Sequence, residues 1–511
     1  MIYYSYCLEV TMSRNNFLSY LIVLILFLTA CTSPTPVPGK QTATPANDAV
    51  LNPKEPVQVV LWHYYVSENQ QMLEDAVRQF NQSIGAEQGI IIESIAKGSI
   101  AELETAVSNS AKGVINSEPM PDIFSSYPDK AIEIDALNML TDLNQYFTEQ
   151  EKQEYIPSFL SDGVFQNNRF LILPIVKSTE LLYLNASAWK QFAAATGAKP
   201  EDLATWEGLL ETSRQYYMWT DAQTPDILWD GKSMAGLDSI PNFVLVGNKQ
   251  LDADMVDADH KEIILNLPIL RKIFDIYVGG MAMEYFNASG KFRSDNIKSG
   301  ELIAYTGSSS SAAYFPIWIE QNNSRQDIDF MALPYPTFAG GASYAIQQGA
   351  GMCIAKSTPA KELGAALFLK WFTAQAQNVN FAMSSGYLPV KTAAYNDQYL
   401  QEALNKLRQG SAGQKNVAAV YNIALEQIAT RHTYAAKPFA GSYKLRFILQ
   451  STLSEAAEAA KKEALSMKSK GLGETEIVSA LDMDTRFQNW IRTLQNKLDN
   501  EGVAHRSVPV Q

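Results

Sequence analysis

The stretch from Val57 to Phe124 constrains the fold more than any other part of the chain. It opens with VQVVLW, Val57 to Trp62, a short β-branched apolar run of the kind that forms a buried strand. Leu73, Ala76, Val77 and Phe80 then recur at helical spacing, which sets one apolar stripe against a sheet. Just ahead of them, Ser67-Glu68-Asn69-Gln70 has the spacing of a capping box. Ile90 to Ile95 reads as a second strand. Ala101 to Ala111 reads as a second helix, with Leu103, Ala106 and Val107 inward. Asp122-Ile123-Phe124 begins a third strand. Strand and helix in alternation predict an α/β lobe with a mostly parallel sheet.

The rest of the chain repeats the mixture without an internal repeat. Arg169 to Pro174 predicts a short strand and Leu181 to Asn185 another, with Trp189 and Phe192 on a helix after it. Helices are expected from Thr205 and around Ile269 to Tyr277, and a strand over Asp327 to Leu333. Lys361 to Phe372 is expected to be helical, with Leu363, Ala366, Leu367 and Lys370 on one face. From Leu445, apolar positions 445, 449, 453, 456 and 460 mark a long amphipathic helix. Trp206 and Trp371, both at helical positions, read as core. At ~150 residues per domain, 511 residues suggest three domains or two large ones. Two lobes fit this pattern best, with the chain crossing between them more than once.

The N-terminus points outside the cytoplasm. Phe17 to Ala30, FLSYLIVLILFLTA, follows Arg14 and is shorter than the ~20 apolar residues of a spanning helix. It fits the apolar segment of a secretory signal peptide over residues 1–30. Leu28-Thr29-Ala30-Cys31 resembles a bacterial lipoprotein cleavage box, which implies cutting before Cys31 and lipid attachment to its sulfur. The Pro- and Thr-rich residues 31–55 bury no core and form a flexible tether. Met12 is a candidate start, since the first eleven residues hold no Lys or Arg. Cys353, in an apolar run, is expected to be a buried small hydrophobe.

Charge and composition exclude several classes. The net charge of -13 argues against a nucleic-acid partner, because such binding draws on Lys and Arg. Three Cys and four His leave little for a metal cage or a disulfide framework, and no metal or other cofactor is expected. There is no G-x-S-x-G elbow and no H-E-x-x-H. Ser94-x-x-Lys97 and Ser187-x-x-Lys190 match a pattern short enough to arise by chance. No catalytic residue is therefore nominated, and the chain is read as a binding protein. A secreted lipoprotein hydrolase acting on carbohydrate is the alternative, and an adhesive surface lipoprotein a third.

Taken in order, the motifs resemble a family. They are the lipoprotein box, the strand ending at Trp62, Pro121-Asp122-Ile123, Leu173-Pro174, Leu182-Tyr183-Leu184-Asn185 and Thr205-Trp206-Glu207. Then come Ala304 to Ser310, Leu333-Pro334, Gly349-Ala350-Gly351, the helix 361–372, Gly386-Tyr387-Leu388-Pro389-Val390, and Tyr443 to Arg446 before the last long helix. The chain resembles the extracellular solute-binding proteins of bacterial ABC importers, in the branch that takes sugars and glycerol phosphates. The resemblance implies an α/β, two-lobed periplasmic-binding-protein-like fold of type II, hinged around a ligand cleft. Lobe 1 would be 56–174 plus 312–373, and lobe 2 would be 175–311 plus 374–505. The partners implied are a small-molecule solute (a sugar, oligosaccharide or polyol phosphate) and ABC permease transmembrane subunits. A monomer is expected, lipid-anchored on the extracytoplasmic face of the cell membrane.

Ligand contacts are expected at strand ends and on glycine-rich turns. Trp62, His63, Tyr64 and Tyr65 follow the first strand, and ligands of open α/β sheets bind at carboxyl ends of strands. Two of the four are expected in the cleft, with Trp62, Tyr64 and Tyr65 the candidates. Tyr127 follows the third strand by a short loop, again at a strand end; Asp129 near it reads equally as a cleft residue or a solvated loop charge. The resemblance adds Ser178, the Ser308 and Ser309 loop, Tyr387 and Arg446. Lys177, next to Ser178, faces either an anion or water. Gly349 and Gly351 would let backbone N–H groups approach a ligand. Glycerol-phosphate members carry a Tyr where Ile100 stands, an acidic residue near Pro128, and a Trp in the 230–245 region, where Phe243 is the nearest aromatic. Sugar is therefore the expected solute, with glycerol 3-phosphate or a glycerophosphodiester the alternative.

Overall fold

Val57–His63 forms β1, which runs parallel to β2 (Ile90–Ala96) over its whole length, Val57 opposite Ile90 and His63 opposite Ala96. On its other edge β1 meets β3 (Ile123–Ser126) through Leu61 and Trp62. Side chains alternate across a strand, so β1 serves two cores at once. Val59 and Leu61 pack with Leu73, Phe80 and Phe368, while Trp62 packs with Leu103, Val107 and Phe124 on the opposite face. The computed structural model that shows this describes residues 51–289, 292–321, 324–396 and 398–509. The expected signal peptide, Cys31 and the expected tether up to residue 50 lie outside the described residues.

The helix Ser67–Gln82 forms, but its expected capping box does not. Val66 holds the N-cap position with no side-chain cap, and Ser67 has φ +52°, whereas a capping serine needs extended backbone. A complete box caps the next long helix instead: the Ser99 side chain accepts from the Glu102 N–H, and Glu102 reaches back to the Ser99 N–H over Ile100–Ala111.

A second sheet is built from β4 (Glu180–Asn185), β5 (Ala235–Leu237), β6 (Ala304–Ser308) and β7 (Phe330–Pro334), in the order β7-β4-β6-β5. Every residue of β4 is buried. Its Leu182 and Leu184 face a core with Trp206, Phe243 and the helix Leu267–Ala282. Leu181 and Tyr183 face another with Tyr305 and Phe315. Strand β7 was expected with the first lobe, inside 312–373. It pairs instead with β4, Phe330 opposite Asn185 and Pro334 opposite Leu181, because the central, wholly buried β4 needs a ladder on both edges. The chain returns to the first sheet only afterwards, as β8 (Gly351–Ile354), antiparallel on β3.

Two local expectations fail for identifiable reasons. Residues 169–174 make no named strand; the buried segment carries only isolated bridges, Phe170 to Val164 and Leu173 to Met352, and Leu171 donates to the Gly163 carbonyl. In the helix Pro359–Phe372 the buried face is Gly364, Ala365, Ala366, Phe368, Leu369 and Phe372, not the one through Leu363 and Lys370. A Cβ on Gly364 would stand 3.3 Å from Val59 and 3.4 Å from Ile90, so the small residues let this helix settle closely on β1 and β2. Lys370 reaches Glu151 at the surface.

Three segments that pass between the sheets lie side by side. Ser178 and Gln348 exchange backbone hydrogen bonds of 2.8 and 3.0 Å, and Lys177 and Leu388 exchange bonds of 3.1 and 2.7 Å. The longest helix, Lys444–Lys468, buries Leu445, Leu449, Leu453, Ala457 and Ala460 in the core that holds Trp206 and Phe243, and turns its first residues toward these crossings. Cys353 is a fully buried free thiol in β8. Among the described residues no helix is long and apolar enough to cross a membrane.

Candidate functional site

The carboxyl end of β3 sets one wall of a cavity of about 440 Å³. Tyr127 follows the strand at the N-cap of the helix Pro128–Ala136, whose first residue is a proline with φ pre-set for helix. Tyr127, Asp129 and Lys130 line this wall with Ile100 and Glu104 from the neighbouring helix. The facing wall comes from Asn242 in the helix Ile240–Gln250, from the segment 434–438, and from Tyr443, Arg446, Phe447 and Gln450. The crossing residues Ile346 to Gly349 form the floor. Contacts span the two walls: Lys130 lies 5.6 Å from the Tyr443 ring, and Lys437 donates to the Ser161 and Val164 carbonyls.

Of the expected site residues, Tyr127, Gly349 and Arg446 line this cavity. Gly349 has φ +115° and a Cβ there would stand 3.1 Å from the Val176 carbonyl, so the floor requires glycine. Tyr64, Tyr65 and Tyr387 form an aromatic cluster within electrostatic reach of one another and of Tyr127. The rings of Tyr64 and Tyr65 stack at 4.7 Å, and Tyr65 sets its edge on Phe381. Burial lifts the hydroxyls of Tyr64, Tyr65 and Tyr127 above their ordinary range.

The other candidates stand elsewhere. Trp62 is 2% exposed, sits in the first core and carries the Lys97 ammonium 4.0 Å over its ring, so it lines no part of the cavity. Gly351 belongs to β8, where a Cβ would strike Ile172 and the Leu173 carbonyl; its glycine serves strand packing, not a ligand. Ser178 is buried in the crossing, and its backbone is spent on Gln348. Ser308 caps a short 3-10 helix over Ser309–Tyr314 through the Ser310 N–H, and the Ser309 hydroxyl is buried without a partner. This stretch is thus a helical turn, and it meets the cluster through Ser310, whose Cα would lie 3.0 Å from a Cβ on Gly386. Lys177 faces no water, and the anion it meets is the protein's own Asp162. It is buried, ion-paired with Asp162, and donates to the Gly349 carbonyl at 3.0 Å.

Sequence reasoning missed the polar core of the second wall. Arg446 Nη2 donates to Asn242 Oδ1 at 2.7 Å. Asn242 Nδ2 in turn donates to Glu180 Oε1 at 2.6 Å and to Gln348 Oε1 at 2.9 Å. Burial raises the Glu180 carboxyl to about 7, against the opposing pull of Asn242. A signal was available: the helix 240–250 is buried nearly all round, so Asn242, Asn248 and Gln250 within it must each find partners. The first wall is more acidic than expected. Desolvation, with Asp129 nearby, lifts Glu104 to about 7, and burial also raises Asp129. Asp129 is thus a cavity residue and not a solvated loop charge. Among the described residues no group of three or more His, Cys, Asp or Glu could hold a metal ion. The site offers aromatic faces, amides, carboxyls and one guanidinium, the groups that orient a polar small molecule by hydrogen bonds.

Comparison with known proteins agrees with this geometry. The family model described as bacterial extracellular solute-binding protein matches residues 75–406. No curated protein matches the chain by sequence. Among solved structures, the cyclic α-maltosyl-1,6-maltose binding protein of Arthrobacter globiformis is 18% identical with a TM-score of 0.61, covering 86% of this chain and 100% of its own. UgpB of Mycobacterium tuberculosis, in complex with glycerophosphocholine, is 19% identical with a TM-score of 0.61, covering 87% and 99%. The maltose/maltodextrin-binding domain MalE of Bdellovibrio bacteriovorus, bound to maltotriose, is 13% identical with a TM-score of 0.61, covering 87% and 100%. These likenesses show the two-lobed α/β fold expected from the motifs.

Proposed function

The chain belongs to the bacterial extracellular solute-binding proteins, and from that premise we propose that it captures a carbohydrate outside the cytoplasm and delivers it unchanged to an ABC permease. The observation that carries this reading is the cavity, which sets the aromatic Tyr127 and Tyr443 and the Arg446–Asn242 pair around one enclosed space. Sugar C–H faces stack on such rings, and hydroxyls both donate to carboxyls and accept from amides and guanidinium.

Charge favours a sugar over a phosphate. Arg446 is the group that would grip a phosphodiester, yet it is already engaged by Asn242, and Glu104 and Asp129 line the opposite wall. Two carboxylates facing a phosphate are repulsive once ionised. The protein is proposed to act as a monomer, held to the membrane by lipid on Cys31, and to carry out no chemistry on its solute. The lobe boundaries are proposed near 175, between Pro334 and Gly351, and near Leu388, since Phe381, Ala382 and Val390 pack with Val59 and Leu61.

Thermal shift of the mature protein against maltose, maltotriose, polyols, glycerol 3-phosphate and glycerophosphocholine tests the reading. A true ligand at a hundredfold excess over its dissociation constant adds about 2.7 kcal/mol of stability. A shift with a saccharide, and the same saccharide recovered intact, is expected. A shift only with the phosphates, or breakdown products of the sugar, would replace this reading with one of the alternatives. Mass spectrometry of the membrane fraction, with Cys31→Ala as control, tests the anchor.

A further inference from the structure

Asn242 stands where the cavity meets the crossing segments, and its side chain is 2% exposed. A guanidinium has only donors, so the atom facing Arg446 must be the amide oxygen. That fixes the orientation of the amide and aims both of its N–H bonds the other way. One goes to Glu180, the first residue of β4 after the crossing 175–179; the other goes to Gln348, in the return crossing. Gln348 is also the residue whose backbone pairs with Ser178. A single amide therefore ties the cavity arginine to two of the three crossing segments with three hydrogen bonds and no spare donor.

We infer that Asn242 is a positioning residue, which holds Arg446 at the cavity and passes the engagement of that arginine to the hinge. The inference rests on reading the cavity as the solute site. Its neighbours Phe243 to Val246 are apolar, and packing alone would be served by an apolar residue of the same size. A buried amide is costly unless all its bonds are made. When a solute draws the guanidinium inward, the amide must follow Arg446 or lose its acceptor bond, and either change alters the set of bonds at Glu180 and Gln348. The two states of the crossing then differ in bonding, which is the condition for a ligand to shift them.

Hydrogen exchange of the mature protein without ligand tests this directly. Arg446→Ala and Asn242→Leu are each expected to speed exchange at the Lys177, Ser178, Gln348 and Leu388 amides about tenfold, as loss of one hydrogen bond to a charged group does. The β1–β2 ladder should keep its wild-type rates. The double variant should exchange no faster than Asn242→Leu alone, because Arg446 acts through the amide. A second pair, Asn242→Asp with Glu180→Gln, reverses donor and acceptor at position 180 while Gln348 turns its amide to donate to the carboxylate at 242, and should return the crossing amides to wild-type rates. Additive acceleration, acceleration spread equally over both sheets, unchanged rates, or failure of the reversed pair to restore them would each overturn the relay. Because no solute is present, a silent ligand panel rejects the sugar reading and leaves this result standing, and the converse also holds.

Discussion

His63 and Glu180 hold matching places at the two rims of the molecule and behave in opposite ways. His63 ends β1 and Glu180 begins β4, and both are buried. Both ring nitrogens of His63 lack a partner, and burial lowers its pKa to about 4. Glu180 has Oε1 bonded to Asn242, while its Oε2 and the nearby Tyr335 hydroxyl lack a hydrogen-bond partner, and burial raises it to about 7. Each rim has bought neutrality at its ionisable group, the first for an apolar packing site and the second for a polar network. The difference is that the ionisable group at the first rim makes no hydrogen bond, whereas the one at the second is bonded into the network of Asn242 and Arg446.

The largest effect that could break this contrast comes from the ion pair between them. Lys177 and Asp162 have side chains 3% and 9% exposed. Lys177→Met leaves the Asp162 carboxylate buried without its cation and strips the Gly349 carbonyl of a donor. The expected loss is about 3–5 kcal/mol in urea unfolding. A loss below about 1 kcal/mol would mean that the crossing relies on packing, as the first rim does.

Next come the two titrations. Glu180 has a folded pKa above its unfolded value, so the folded state holds the proton longer. Its stability is full below about pH 4.5 and is lost as pH rises to about 7, by on the order of 3 kcal/mol. His63 has a folded pKa below its unfolded value. Its stability is full above about pH 6.5 and is lost as pH falls to about 4, by on the order of 2–3 kcal/mol. Between pH 4.5 and 6.5 the two slopes oppose each other and partly cancel. Denaturant unfolding across pH 4 to 8 should therefore steepen in opposite directions in the two variants. Glu180→Gln should shift the pH slope upward, with Glu104, also lifted to about 7, keeping a falling contribution of its own, and His63→Phe should leave stability falling. The same sign of change in both would remove the distinction between the rims.

What the sequence revealed follows the same division. The first sheet was legible because its strands and helices are local: Val57 to Phe124 carries three strands and two helices in unbroken alternation, and Tyr127 follows from the strand end. The second sheet depends on partners far apart in sequence. Nothing in Phe330–Pro334 by itself says that it pairs with β4, some 150 residues earlier. The site divides likewise. Arg446 was reached through the family resemblance, whereas its partners Asn242, Glu180 and Gln348 come from three separate segments. Trp62 and Gly351 were misread because a strand end and a glycine pair each serve packing as readily as binding.

The smallest effect tests the local reading at its finest grain, and it lies within the first lobe alone. Two serines stand at helix starts there, and the sequence pointed to Ser67 as the N-cap. Ser99 has extended backbone, φ -73° and ψ 164°, and makes both bonds of a capping box with Glu102. Ser67, with φ +52°, is itself inside the helix and caps nothing. Ser99→Ala should cost about 1 kcal/mol in urea unfolding, the usual value of a lost N-cap. Ser67→Ala should change stability by no more than about 0.5 kcal/mol, as a surface substitution with no cap to lose. Ser67→Gly should stabilise slightly, because glycine adopts a positive φ without the Cβ penalty. Equal losses at Ser67 and Ser99 would mean that Ser67 forms its box in solution, and the helix would then start one residue later.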